Sequence, residues 1–135
     1  MKTIKTTVLL TTLTLFTIVL AGCNSHSDVV ETCVLSAEQY VEKKELENAP
    51  QPVSLKAGED IYASVHFIES PLGMEYIGKW YAGDAEIKTE TQKMITDKKG
   101  IIVFSLEGSK VISGTIRFEI LYGSDVLYSK EFPVQ

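Results

Sequence analysis

The sequence is short of the residues that catalysis, metal binding and nucleic-acid recognition usually need. Its 135 residues include one arginine (Arg117), one tryptophan (Trp80), two histidines (His26 and His66) and two cysteines (Cys23 and Cys33). Positive charge is scarce overall, and the net charge is −5. The first 22 residues hold Lys2 and Lys5 and no acid, so the remainder has 11 basic against 18 acidic residues, a net of −7. A part this acidic is poorly suited to phosphate backbones, and no nucleic-acid partner is expected. Simple attraction to anionic lipid head groups is also disfavoured.

The shortage extends to reactive groupings. No Cys/His pair has ligand spacing and no Asp-x-Asp loop of the calcium type occurs, so neither a metal nor another cofactor is expected. No Gly-x-Ser-x-Gly elbow surrounds any serine, and no Gly-rich phosphate loop is present. Ser64 and His66, with Glu59 and Asp60 near them, come nearest to a nucleophile and its base. Residues two apart on one strand face stand roughly 6 to 7 Å apart, too far for a direct hydrogen bond. The carboxylate pairs Glu59/Asp60, Glu86/Glu90 and Glu119/Glu131 read as solvated surface of an acidic chain. No catalytic residue is expected.

What is present begins at the N-terminus. Lys2 and Lys5 precede an apolar stretch from Val8 to Leu20, which is diluted by threonines and too short for a membrane span. Leu20-Ala21-Gly22-Cys23 follows, with small residues where a signal peptidase needs them. These four residues resemble the lipobox of bacterial lipoproteins at every position. The resemblance implies a signal peptide over 1–22, diacylglycerol transfer to the Cys23 sulfur, and cleavage before Cys23. It implies an extracytoplasmic protein held on the cell membrane by acyl chains such as palmitate. Asn24 stands where an Asp commonly retains lipoproteins at the inner membrane, so a Gram-negative source implies the outer membrane. With Cys23 lipidated, Cys33 has no disulfide partner and reads as a small buried apolar residue.

Residues 23–52 read as a tether. Ser36 can cap a helix with Gln39 three residues on, so 36–47 is expected to form a short helix or, alternatively, to stay disordered. Pro50 and Pro52 end any helix and mark the start of a domain over 53–135. A flexible tether of about 29 residues spans roughly 30 Å.

From Val53 the pattern is strand and turn. Expected strands are 53–56, 60–69, 74–82, 85–97, 101–106, 115–122 and 126–134, separated by turn residues such as Ser70-Pro71-Leu72-Gly73, Gly83-Asp84 and Gly123-Ser124. Ile61, Ala63, Val65 and Phe67 alternate with polar neighbours, as do Ile116, Phe118 and Ile120. Residues 85–97 are polar on both faces, which suits an edge strand. About seven strands with a turn every 8 to 14 residues predict an all-β, antiparallel sandwich. With Trp80 on the third strand and a closing hairpin over 114–134, the domain resembles immunoglobulin-like and fibronectin-like modules, and it departs from antibody-type domains in having no pair of strand cysteines.

That arrangement implies a binding surface. If the third, sixth and seventh strands share a sheet, its outer face carries Ile77, Lys79 and Tyr81, then Arg117, Glu119 and Leu121, then Leu127 and Ser129. Apolar and aromatic groups with one arginine are a composition found at partner surfaces. Ile77, Lys79, Tyr81, Arg117 and Leu121 are the candidate binding residues, unless 36–47 folds back over them. The last strand or the 85–97 edge is a second place that can accept a partner strand. The expected function is a non-enzymatic module binding an envelope protein or cell-wall component. The alternative is an accessory subunit or inhibitor of an envelope enzyme or transporter.

Overall fold

The structure, a computed structural model, describes residues 25–26, 28–95 and 100–135. The signal segment and Cys23 lie outside the described residues. The strands are β1 (Ser25–His26), β2 (Val30–Ser36), β3 (Ile61–Phe67), β4 (Glu75–Ala82), β5 (Ala85–Lys93), β6 (Ile101–Leu106), β7 (Gly114–Tyr122) and β8 (Asp125–Val134). One α-helix, α1 (Lys43–Asn48), lies between β2 and β3. All the named strand pairs are antiparallel, in one sheet ordered β1-β8-β7-β4-β5 and a second ordered β2-β3-β6. This is the expected all-β sandwich, built on seven strands of six to ten residues plus the two-residue β1.

Strand alternation builds the core. Ile61, Ala63, Val65 and Phe67 of β3 face Tyr76 and Trp80 of β4 and Ile116, Phe118 and Ile120 of β7 in one apolar cluster. The Trp80 and Phe118 rings lie 4.4 Å apart, and Phe67 stacks on Tyr76 at 4.1 Å. Each large side chain so enclosed contributes roughly 1.5–3 kcal/mol relative to exposure. Gly78 sits among them because a Cβ there would lie 2.5 Å from Phe104 Cδ1. The two-residue hairpins at Gly83-Asp84 and Gly123-Ser124 each put glycine first, with φ of 58° at both. Glycine at the first loop position is what tight hairpins of this twist require.

Three expectations are corrected. First, much of the expected tether 23–52 is part of the sandwich. Val30 and Leu35 of β2 are fully enclosed in the core, and β2 pairs with β3 from Val30 to Ser36. The apolar residues Val29, Val30, Val34 and Leu35 have enough surface to bury for a strand to dock. Second, the helix is not 36–47 but Lys43–Asn48. Ser36 ends β2, and its hydroxyl accepts from the Glu38 N–H at 3.1 Å and donates to the Glu38 carbonyl at 2.9 Å, closing a turn instead of capping a helix. Third, 53–56 is not a ladder strand. Between Pro52 and Gly58 only Leu55 bridges, in parallel, to Val134, while Val53 stays 93% exposed.

The chain closes most of its own edges. Gln51 donates to the Leu35 carbonyl and accepts from the Leu35 N–H at 2.8 and 2.9 Å, imitating a paired strand on the β2 edge. On the far side, Lys88 and Gln92 of β5 donate to the Ser105 and Val103 carbonyls of β6 at 2.6 and 2.7 Å. Glu90 accepts the Ser105 N–H at 3.3 Å. The β8 edge meets β1 at Tyr128 and Ser129 and meets Leu55 at Val134.

Candidate functional site

The five-stranded sheet has an inner face in the core and an outer face whose residues come from every second position. Register sets which of them meet. Across β4 and β7 the partners are Ile77 with Leu121, Lys79 with Glu119, and Tyr81 with Arg117. Directly opposed side chains on one face start about 4.5–5.5 Å apart. All five candidate residues are therefore neighbours: Ile77, Lys79, Tyr81, Arg117 and Leu121. Strand β8 adds Ser129 opposite Glu119 and Glu131 opposite Arg117. The register shift beside Leu121 sets Val126 opposite Leu121 and removes Leu127 from this face. Leu127 instead packs against the core.

The centre of this face is a stack. The Arg117 guanidinium carbon lies 4.2 Å from the Tyr81 ring centroid, a contact of about 0.5–1 kcal/mol at an exposed site. Arg117 Nε donates to Glu119 Oε1 at 3.1 Å, and Ser129 Oγ donates to the same oxygen at 3.4 Å. Lys79 Nζ is 3.8 Å from Glu86 Oε1. Arg117 and Lys79 keep 27% and 30% of their side-chain surface open. Leu121 keeps only 8% and packs beneath the surface instead of offering itself to a partner. The chemistry on display is stacking, charge and hydrogen bonding from pre-set side chains.

The outer face of the other sheet is covered. The segment after β2 folds over it, with Leu46 of α1 buried against Val34 and Ile101 beside Tyr40 and Val103. Tyr40 N–H donates to Ser64 Oγ at 2.9 Å. The sheet that α1 covers is thus not the one bearing Tyr81 and Arg117. α1 is the single α-helix among the described residues.

A second grouping borders α1. The Glu31 carboxylate of β2 lies against His66 Nδ1 of β3 and 3.8 Å from Lys43 Nζ of α1. These residues line a cleft of about 380 Å³ with Glu69, Ser70 and Gly100. His66 is 8% exposed, and its Nδ1 lies against the Glu31 carboxylate. Lys43 is shared with Glu47 at 3.5 Å, and Ser70 is hydrogen-bonded to the Tyr76 hydroxyl at 2.6 Å. Sequence reasoning missed this grouping because Glu31 was assigned to the tether. The pairing of Thr32 with His66, which brings Glu31 near, is a fact of register.

The remaining singled-out residues have structural partners. Ser64 is buried under Tyr40. Asp60 accepts the Gly108 N–H at 2.6 Å, and Glu59 faces Lys56 at 3.5 Å. Cys33 is half-buried as an edge-strand residue, and its thiol points at the core. Burial pushes that thiol from its ordinary 9.0 up to about 12, against the smaller lowering pulls of a Tyr128 hydrogen bond and the Lys130 charge. Burial likewise raises the Tyr128 hydroxyl, with Cys33 adding to the rise.

Comparison with known proteins finds no matching family and no matching curated sequence. Among solved structures, the chain is similar to an immunoglobulin-like protein from Pseudomonas aeruginosa. The TM-score is 0.51 at 14% identity, covering 76% of this chain and 91% of that one. At that identity the likeness establishes the fold, and the fold is immunoglobulin-like.

Proposed function

We propose that this immunoglobulin-like domain is a non-enzymatic binding module that presents the β4–β7 face to a protein or cell-wall component of a bacterial envelope, with Cys23 lipidated as its anchor. The observation that carries the recognition part is the Tyr81–Arg117 stack on the outer sheet face that α1 leaves open. Aromatic and arginine side chains of this kind concentrate binding energy at interfaces. Here they are held in place before any partner arrives, which lowers the ordering cost of association. The Leu20-Ala21-Gly22-Cys23 motif supports the anchor. Confinement to a membrane raises the effective concentration toward other envelope components. Fold alone chooses no function, so the reading rests on this face and this motif.

The test pairs Tyr81→Ala with Arg117→Ala and leaves the packed Leu121 intact. Each side chain is partly exposed, so the double variant should keep its thermal midpoint within a few degrees, since surface changes cost about 0.5 kcal/mol. Crosslinking capture from intact cells should lose the partner that the unaltered protein retains. Capture undiminished by the double variant rejects this face.

A further inference from the structure

The chain enters the fold much closer to Cys23 than a tether would allow. Ser25 already pairs with Ser129, about midway along β8, and only Asn24 separates it from Cys23. Two residues reach at most about 7 Å. That is less than the 10–12 Å diameter of one α-helix, so no secondary-structure element fits between a lipidated Cys23 and the β8 edge.

The same side of the sandwich carries an outward apolar group. The segment from Gln51 to Leu55 crosses from the β2 edge, where Gln51 bonds Leu35, to the β8 edge, where Leu55 N–H donates to the Pro133 carbonyl at 2.8 Å. Between these two fixed points lies Val53, 93% exposed and the most exposed of the large apolar residues described. An apolar side chain held out by a crossing strap, which meets the same β8 strand that Ser25 joins, fits a lipid surface. A protein partner fits worse, because the leash leaves it no room.

We propose that the β2/β8 side of the sandwich is seated on the lipid head groups, with Val53 entering the boundary between head groups and acyl chains. The proposal rests on lipidation of Cys23 and deepens that reading by assigning an orientation. The β5 edge then points away from the bilayer, four strand spacings or about 19 Å across the sheet. The Tyr81–Arg117 face stands sideways, open to partners in the same plane.

The test uses the full chain, processed in bacterial cells, purified as the mature protein and incorporated into phosphatidylcholine vesicles containing brominated lipid. An environment-sensitive fluorophore is placed at Val53→Cys or, on the opposite edge, at the exposed Thr91→Cys. The unaltered protein reports any labelling of Cys33. The seated orientation predicts a roughly twofold loss of emission at position 53, consistent with insertion to about 5–10 Å, and none at position 91. Vesicles that carry the protein on flotation but leave position 53 unquenched, or quench position 91 instead, overturn the seat and leave the anchor standing. Protein that fails to float and shows an unmodified Cys23 by mass overturns the anchor and the seat together.

Discussion

Arg117 illustrates how the fold sets one side chain in place on an open face. Tyr81 lies under its guanidinium, Glu119 accepts from its Nε, and Glu131 stands opposite in the ladder. Neither ion pairing nor stacking exhausts its donors, because a guanidinium has five N–H groups. Cys33 is the opposite case, a reactive group made inert. With its thiol pushed up to about 12, the thiolate that reacts with alkylating agents is rare at neutral pH. Iodoacetamide at pH 8 should therefore modify native Cys33 roughly a hundred- to a thousandfold more slowly than the urea-unfolded chain. Equal rates would contradict the enclosure. The raised value also sets a sign for stability. The folded state favours the neutral thiol, so this contribution is complete below about pH 9 and is lost as pH rises toward 12. A Cys33→Ala variant should lose that alkaline slope in equilibrium unfolding.

At the scale of elements, the β5–β6 seam works through side chains in place of a backbone ladder. Lys88 donates to the Ser105 carbonyl and to Glu107 at 2.8 Å, and it holds the Glu107 carboxyl below its ordinary range. Together with Glu90 and Gln92 it satisfies main-chain groups of β6 that would otherwise offer an edge for strand addition. Lys88→Ala with Gln92→Ala should cost about 1–3 kcal/mol from the carbonyls left unpaired. At roughly 4–8 °C per kcal/mol the loss is visible in a thermal melt, and concentration-dependent association by light scattering should accompany it. An unchanged midpoint with no association would contradict the clamp.

The elements also show what the sequence conveys. Strands β3, β4, β6, β7 and β8 were legible because their apolar residues alternate and glycine marks their turns. That Ile77, Tyr81, Arg117 and Leu121 share one face followed from the same parity, whereas the pairings Ile77–Leu121 and Tyr81–Arg117 are set by register. Strand β2 was hidden because its apolar residues are unevenly spaced and stand just after a signal-like segment, where a tether was the natural reading. Residues 53–56 misled in the other direction, since the Val53 and Leu55 spacing suits a strand whose partner is absent. Leu127 was misplaced because a bulge shifts the register, and nothing in a period-two pattern announces a bulge.

Taken whole, the molecule has two outer faces with different fates and two sides with different surroundings. One face is covered by α1 and its flanking segment, and the other carries the stacked arginine. One side holds β1, the strap and Val53, and the other is sealed by the Lys88 clamp. The proposed anchor would hold at a membrane a small acidic domain for which simple attraction to anionic lipid is disfavoured. It also makes the orientation of the proposed binding face a consequence of chain length. The most direct measurement of this account is intact-mass spectrometry of the protein isolated from its cells. The lipid-anchored protein should give a mature chain whose first residue is Cys23 and whose mass includes a thioether-linked diacylglycerol. A product with Cys23 unmodified, or one whose first residue lies elsewhere, would contradict it.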